Sequence, residues 1–457
     1  MNVKLLPDEE KTHRTAFLIN RNFTFLLAGR TVSGIGDNLF NTILVLWIVT
    51  LIAAGQPWSP LAISGLLASS SIPTIVAGPI AGVFVDRWRN KRRIMLWMDI
   101  LNALLMFLLL AMTAFSLGFA GLHIDISVFW QLALLYLIVF LSTILVKFAE
   151  PSFIALSAEI VEESQFLRSS GLIQAVGNIT LMIGPPLGAF LFFAIGLQWA
   201  IALNALTFLV SFVATLAIRV PYLSSAEPAP THEKSHFWKE VLEGLRFYFS
   251  NRVLTTVICT GILVLLGAGA MNTLGIFFVI QNLHTPSSFY GMLNGALGIG
   301  LILGSLLAST KILSERVGVA RTFWLGLVLW GGFILVYARM TSFLPALILL
   351  VLLGVMNAAF EAAYIPLILQ ATPRNFTGRI FSTLGTVFSF ISLFSVSIAG
   401  YLDGTVLRDF HAVFLGLQFG PVDTIFTGTG LLAILGGLYA MSRLRQIPTQ
   451  PSREEEE

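Results

Sequence analysis

Charge is what this sequence has least of. Only 11% of its 457 residues are Asp, Glu, Lys or Arg, against about 25% in a soluble domain. A soluble protein of this length needs far more polar surface to cover its core, so water is excluded as the solvent for most of the chain. The 56% of residues that are hydrophobic, with a mean hydropathy of +0.85, are expected to face lipid. Cysteine is nearly missing: Cys259 is the single one and lies inside an apolar run. That excludes a disulfide framework, a CxxC redox pair and a thiolate metal cluster. Histidine is scarce as well. The six (His13, His123, His232, His236, His284 and His411) all fall outside the long apolar runs. His232 and His236 stand at i, i+4 with no third ligand nearby, so no metal site is expected. No grouping of a nucleophile with a base is visible, and the expectation is a protein that is not an enzyme and uses no cofactor. A cleavable signal is not evident: the first apolar run follows a polar lead of 22 residues and is too long for a signal's apolar segment.

What is present is a series of apolar runs, each at least close to the roughly 20 residues that a bilayer-crossing helix needs. They fall near 23–52, 60–85, 94–115, 128–158, 169–196 and 198–218, then near 253–282, 289–313, 322–341, 343–371, 380–407 and 423–442. Twelve spans predict an all-α membrane protein. It divides into a tail (1–22), a six-helix bundle (23–218), a polar linker (219–252), a second six-helix bundle (253–442) and an acidic tail (443–457). In the linker, Phe237, Trp238, Val241, Leu242, Leu245 and Tyr248 recur at helical spacing after Pro228 to Pro230, which predicts an interfacial helix. The net charge of +3 matters less than where the cations stand. With both termini in the cytoplasm, all of the 27 Lys and Arg except Arg30, Lys147, Arg339 and Arg408 fall on that side, which is the bias that sets membrane orientation. A multi-pass protein of the cell (inner) membrane with two cytoplasmic ends is expected.

The halves repeat each other. Asn20, Arg21, Gly36, Asn41 and Thr42 recur at one constant offset as Asn251, Arg252, Gly267, Asn272 and Thr273. In the second spans Gly65, Leu67 and Gly78 match Gly291, Leu293 and Gly304, and in the fourth Glu150, Ile154, Leu156 and Arg168 match Glu361, Ile365, Leu367 and Arg379. Polar identities inside apolar runs point to a duplication rather than to shared composition.

Between spans two and three stands Gly82-Val-Phe-Val-Asp86-Arg87-Trp-Arg89-Asn-Lys91-Arg92-Arg93. Gly82 permits close helix approach, Asp86 suits a helix N-terminus, and Arg87 is able to bridge to an acid such as Glu159. The stretch closely resembles the Gly-x-x-x-Asp-Arg-x-x-Arg-Lys loop of the major facilitator superfamily, with Arg89 where Gly is common and Asn90 where a basic residue is common. That resemblance implies a cytoplasmic gate of Gly82, Asp86, Arg87, Lys91 and Glu159. Span five carries Gly177 and then Gly184-Pro185-Pro186-Leu-Gly188-Ala189, similar to the Gly-Pro-x-x-Gly-Gly signature of the superfamily's antiporters, with Ala189 in place of Gly. It implies a helix-packing hinge or seal at Gly184, Pro185 and Gly188. The opening from Arg21 to Asp37 and the later Gly378-Arg379-Ile-Phe-Ser382 resemble the macrolide-efflux and siderophore-export branch. Members of that branch often carry an Arg in span four where Ser142 or Thr143 stands here, with Lys147 one turn on. The resemblance implies two pseudo-symmetric six-helix bundles around a cavity lined mainly by spans one, four, seven and ten.

Charge inside a span is costly unless it meets a partner or water, so the few such residues are functional candidates. Arg30, Ser33, Asp37 and Asn41 recur at i, i+3, i+7 and i+11 and form a polar stripe on the first helix. Asp37 lies about 21 Å along that helix from Phe23. In span four Lys147 and Glu150 are placed to pair, whereas Glu361 meets Ala358 where the cation would stand. Glu361 is therefore expected to take up a proton more readily than Glu150. Asp37, Glu361 and Glu150 are the proton-coupling candidates. Arg30, Ser33, Asn41, Lys147, Asn272, Asn357 and Tyr364 are the candidates for the cavity wall. Together with the resemblance they predict a monomeric, proton-coupled exporter of amphipathic small molecules, of drug, macrolide or siderophore class. Its expected partners are the substrate, protons and the lipid bilayer, and no nucleic acid. A lipid or lysolipid flippase of the same fold and a membrane sensor that no longer transports stay open as alternatives.

Overall fold

Asn20 and Asn251 open the two halves of the molecule in the same way. The computed structural model describes residues 19–88, 90–116, 127–219, 251–308, 317–372, 377–414 and 417–445, and in it each Asn is the N-cap of a long helix, α1 (Arg21–Trp47) or α7 (Arg252–Gln281). Asn20 Oδ1 accepts from the Phe23 N–H at 2.8 Å, and Asn251 Oδ1 from the Val253 N–H at 2.9 Å. Each thereby satisfies a donor that a helix start leaves without an internal partner. Their amides then reach across the half: Asn20 Nδ2 donates to the Ile160 carbonyl at 2.6 Å and Asn251 Nδ2 to that of Ala371 at 3.2 Å. Ile160 and Ala371 are separated by the same offset that relates the fourth spans in sequence, so a tertiary contact repeats as well as a motif.

The remaining helices of the first half are α2 (Ser59–Arg87), α3 (Lys91–Ser116), α4 (Val128–Ile160), α5 (Phe166–Ala194) and α6 (Leu197–Leu216). Those of the second are α8 (Tyr290–Ala308), α9 (Val319–Tyr337), α10 (Phe343–Gln370), α11 (Thr377–Tyr401) and α12 (Pro421–Leu444). Twelve spans among the described residues are long and apolar enough to cross a bilayer, and each coincides with one of the twelve apolar runs. α1 and α11 each continue into a π turn, Ile48–Ile52 and Leu402–Val406. The α5–α6 connection is short because Gly196 adopts φ 94°, a conformation open to glycine. The expected interfacial helix and most of the two tails lie outside the described residues.

Within the first half α1 packs on α5 and α6, α2 on α4, and α3 on α4 and α6. Within the second, α7 packs on α11 and α12, α8 on α10, and α9 on α10 and α12. The two sets are identical under exchange of the halves. So are the two seams that join them, α2 with α11 and α5 with α8, as a pseudo-two-fold axis along the helix direction requires.

An even number of crossings puts the start of α1 and the end of α12 on one side, here called the terminal face. On the opposite, far face the connection between α11 and α12 forms a hairpin, β1 (Ala412–Phe414) antiparallel to β2 (Leu417–Phe419). Nothing in the apolar pattern predicted strands there. Arg339, just beyond α9, holds it: Nη1 donates to the Gln418 carbonyl at 3.1 Å and the guanidinium lies 4.2 Å from the centre of the Phe419 ring. Nη2 pairs with Asp423 Oδ2 at 2.9 Å, while Asp423 Oδ1 accepts from the Gly420 N–H at 2.7 Å. Arg339→Met leaves the nearly buried Asp423 carboxylate without its cation and is expected to cost about 2–4 kcal/mol, reduced from the buried-pair range by the part of Arg339 that water reaches. Denaturant unfolding in detergent measures the loss, and Arg339→Met combined with Asp423→Leu should recover part of it.

Candidate transport cavity

α1 and α7 are the two most buried of the twelve spans, yet Asn41 and Asn272, each about two-thirds of the way along its span toward the far face, are exposed. A polar side chain exposed within a central helix lines a water-filled cleft rather than lipid. The seams show where the cleft opens. A methyl group placed on Gly291 of α8 would sit 2.3 Å from the Pro185 carbonyl oxygen of α5, and on Gly298 2.7 Å from the Met182 Cα. In the other seam Ser64 Oγ of α2 donates to the Val396 carbonyl of α11 at 2.8 Å, and Gly400 leaves no room for a Cβ beside Ser64 and Pro60. All these contacts lie in the far half of the bundle. Toward the terminal face the same helices diverge: a methyl group on Gly78, Gly171, Gly177 or Gly385 would meet nothing within 4 Å. The halves are closed at the far face and open at the terminal one.

The first-half wall carries the charge. Arg30, Asp37 and Asn41 fall within about 40° on the helical wheel, whereas Ser33 lies about 60° from Arg30. The structure corrects the stripe accordingly. Ser33 is 4% exposed and bonds back to the Arg30 carbonyl, between Gly29 and Gly36, which press on α6, so it belongs to the α1–α6 contact and not to the cavity. Lys147 Nζ and Glu150 Oε2 pair at 3.0 Å on α4, and Glu150 and Arg30 are both close enough to Asp37 for their charges to act on it. Ser142, on the same helix as Lys147, donates to Asn102 Oδ1 on α3 at 2.7 Å.

The second-half wall is different. Glu361 is exposed and accepts from Asn357 Nδ2 at 3.3 Å. Tyr364, one turn on, sits 6.3 Å from Phe360 and 6.2 Å from Phe388 between ring centres. Phe388 in turn packs on Gly261 of α7. The second half thus offers a carboxylate beside an aromatic surface where the first half carries paired charges.

Sequence reasoning missed Asp99. It is 8% exposed, accepts from Ser211 Oγ of α6 at 2.9 Å, and lies within electrostatic range of Arg30 and Asp37. Its signal was the one that picked out Asp37: a single acid inside an apolar run, here 94–115.

Of the expected gate, the side chains of Gly82, Asp86 and Arg87 lie outside the described residues. Lys91 is placed as a cap: its Nζ donates to the carbonyls of Val85 and, at 2.8 Å, Trp88, at the end of α2, where the helix dipole favours a cation. Glu159 is exposed and in reach of the Lys91 charge. The span-five motif divides its work. Gly184 and Gly188 lie against Asn38 and Leu39 of α1, within their own half, while Pro185, Pro186 and Ala189 lie against Gly291 and Gly295 of the other.

The family model described as Major Facilitator Superfamily matches residues 26–280. The chain belongs to the Major Facilitator Superfamily. Relatives of this superfamily member cover between 64% and 92% of its length. An uncharacterized MFS-type transporter, YfiS of Bacillus subtilis (strain 168), is 27% identical over 92% of this chain and 94% of its own. Macrolide efflux protein A of Streptococcus pyogenes is 21% identical over 80% of this chain and 85% of its own. Among solved structures, that of the POT family transporter PepTSo superposes with a TM-score of 0.70 at 12% identity, covering 93% of this chain and 99% of the other, a likeness of fold. The protein is a multi-pass membrane transporter of this superfamily, with efflux proteins among its relatives.

Proposed function

We propose that this transporter is a proton-coupled antiporter that exports amphipathic small molecules, of drug, macrolide or siderophore class, from the cytoplasm as a monomer. The observation that carries this reading is the cleft itself, polar within the membrane depth at Asn41 and Asn272 and flanked by the carboxylates of Asp37, Glu150 and Glu361. The bias of Lys and Arg toward the terminal face supports a cytoplasmic position for that face in the cell (inner) membrane we assign, and with that orientation the open cleft faces the side from which an exporter loads. The aromatic surface around Tyr364 and the carboxylate of Glu361 offer one apolar and one polar contact, the combination an amphipathic ligand needs. Coupling follows if the carboxylates release protons inward when substrate binds and take them up when the cleft faces outward. No group in the cleft is assigned an enzymatic step.

The test is efflux of a panel of macrolides, cationic dyes and siderophores from cells with and without the protein, repeated with a protonophore. Faster efflux that collapses with the proton gradient supports the reading. Translocation of labelled lysolipid alone would make the protein a flippase, and no flux of any substrate would make it a sensor.

A further inference from the structure

The far-face seam between α2 and α11 contains an acid that the cleft does not use. Asp403 sits in the π turn Leu402–Val406 and is 6% exposed. On either side of it the chain is pressed onto the start of α2: Gly400 lies against Pro60 and Ser64, and Gly404 against Leu61 and Pro57. One Asp403 oxygen, Oδ1, is fully buried without a hydrogen-bond partner, and so is the hydroxyl of Ser59 in the first turn of α2. Among the described residues no cation pairs with the carboxylate. α2 has no charged side chain from 59 to 85. α12, which also packs on the turn, presents Asp423, already paired with Arg339. On the turn's own segment Tyr401, Arg408, Asp409 and His411 are all exposed.

We propose that Asp403 is a proton-binding site of the far-face seam, and that the two halves close there only over its neutral form. Burying an ionised carboxylate without a partner is strongly unfavourable, whereas a neutral carboxyl with one unmade hydrogen bond is tolerated. Parting α2 from α11 would let water reach the group. Loss of its proton then favours the far-open arrangement, and regaining it favours closure, one proton per cycle of the seam. Because the proton leaves to the far side and returns from it, such a site makes the conformational step follow far-side pH, at a distance from the substrate cleft, and itself carries no proton across the membrane. It deepens the proton-coupled reading and rests on it, but its test reads a distance and not a flux, so the two fail separately.

The full chain, with Cys259→Ala, Phe129→Cys and Leu344→Cys, is spin-labelled in lipid nanodiscs. Both label sites are exposed and begin the fourth span of their half at the far face, so their separation reports the seam. Between about pH 5 and pH 9 a longer-distance population is expected to grow, by up to about tenfold in the open-to-closed ratio per pH unit over the titration. Asp403→Asn should hold the short distance throughout, while Asp409→Asn should retain the response. If the amide variant does not insert, Asp403→Ser is measured in its place with the same expectation. A response unchanged by removal of the carboxyl, or no response in the parent chain, overturns the proposal.

Discussion

Asp37→Asn and Glu361→Gln should each bring gradient-driven efflux down to the rate of cells lacking the protein, with the protein still inserted and folded. Asparagine and glutamine keep the size of the acids and one acceptor oxygen, replace the other oxygen by an NH2 donor and cannot titrate, so charge is removed with little change of shape. Asp37 lies within electrostatic range of Arg30 on its own helix and of Glu150 on α4 of the same half. Among the described residues Glu361 accepts from the Asn357 amide, which can serve either protonation state. Because a proton-coupled step requires a group that changes charge between the two orientations, removing that change removes the coupling. Downhill equilibration of substrate does not require this coupling, so the decisive measurement is accumulation against a gradient in proteoliposomes with an imposed pH difference. Full gradient-dependent transport by both variants would remove Asp37 and Glu361 from the coupling route.

A second large effect is expected at a residue that carries no charge. Gly291→Leu places a Cβ 2.3 Å from the Pro185 carbonyl oxygen and 2.7 Å from the Ala189 Cβ, in the tightest part of the α5–α8 seam. Overpacking of this kind costs about 1–3 kcal/mol. If the clash is relieved when the far face opens, the far-closed state loses about 5- to 150-fold in relative population. Efflux should fall accordingly. A membrane-impermeant thiol reagent, applied from the far side to a Cys259→Ala chain bearing Asn272→Cys, should label faster in the Gly291→Leu variant. Gly332→Ala, a helical position where a Cβ meets nothing within 4 Å, serves as the comparison and should change neither. Equal labelling rates in both would mean that the seam does not decide which side the cleft faces.

The chain of 457 residues announces its solvent, its spans and its duplication without help from coordinates. Each is a local property. Whether a segment of about 20 residues prefers lipid depends on that segment's own side chains, and a repeat is visible wherever polar identities such as Asn41 and Asn272 recur. The same locality shows why the polar stripe was nearly right: Arg30, Asp37 and Asn41 share a face by helix geometry alone. Ser33 was placed with them because spacing cannot tell an edge of the stripe from its centre, and only the neighbouring α6 settled which way it turned.

What the tertiary structure decided is every relation between segments remote in sequence. It set Gly184 and Gly188 against α1 but Pro185 against the other half, turned Ser142 to Asn102 and Asp99 to Ser211, and docked an unforeseen hairpin on Arg339. It also closed two seams at one face only. These depend on which surfaces meet, and close packing admits one arrangement among many of similar hydrophobicity. Composition has no term for that choice, because lipid and protein interior are equally apolar surroundings for a leucine.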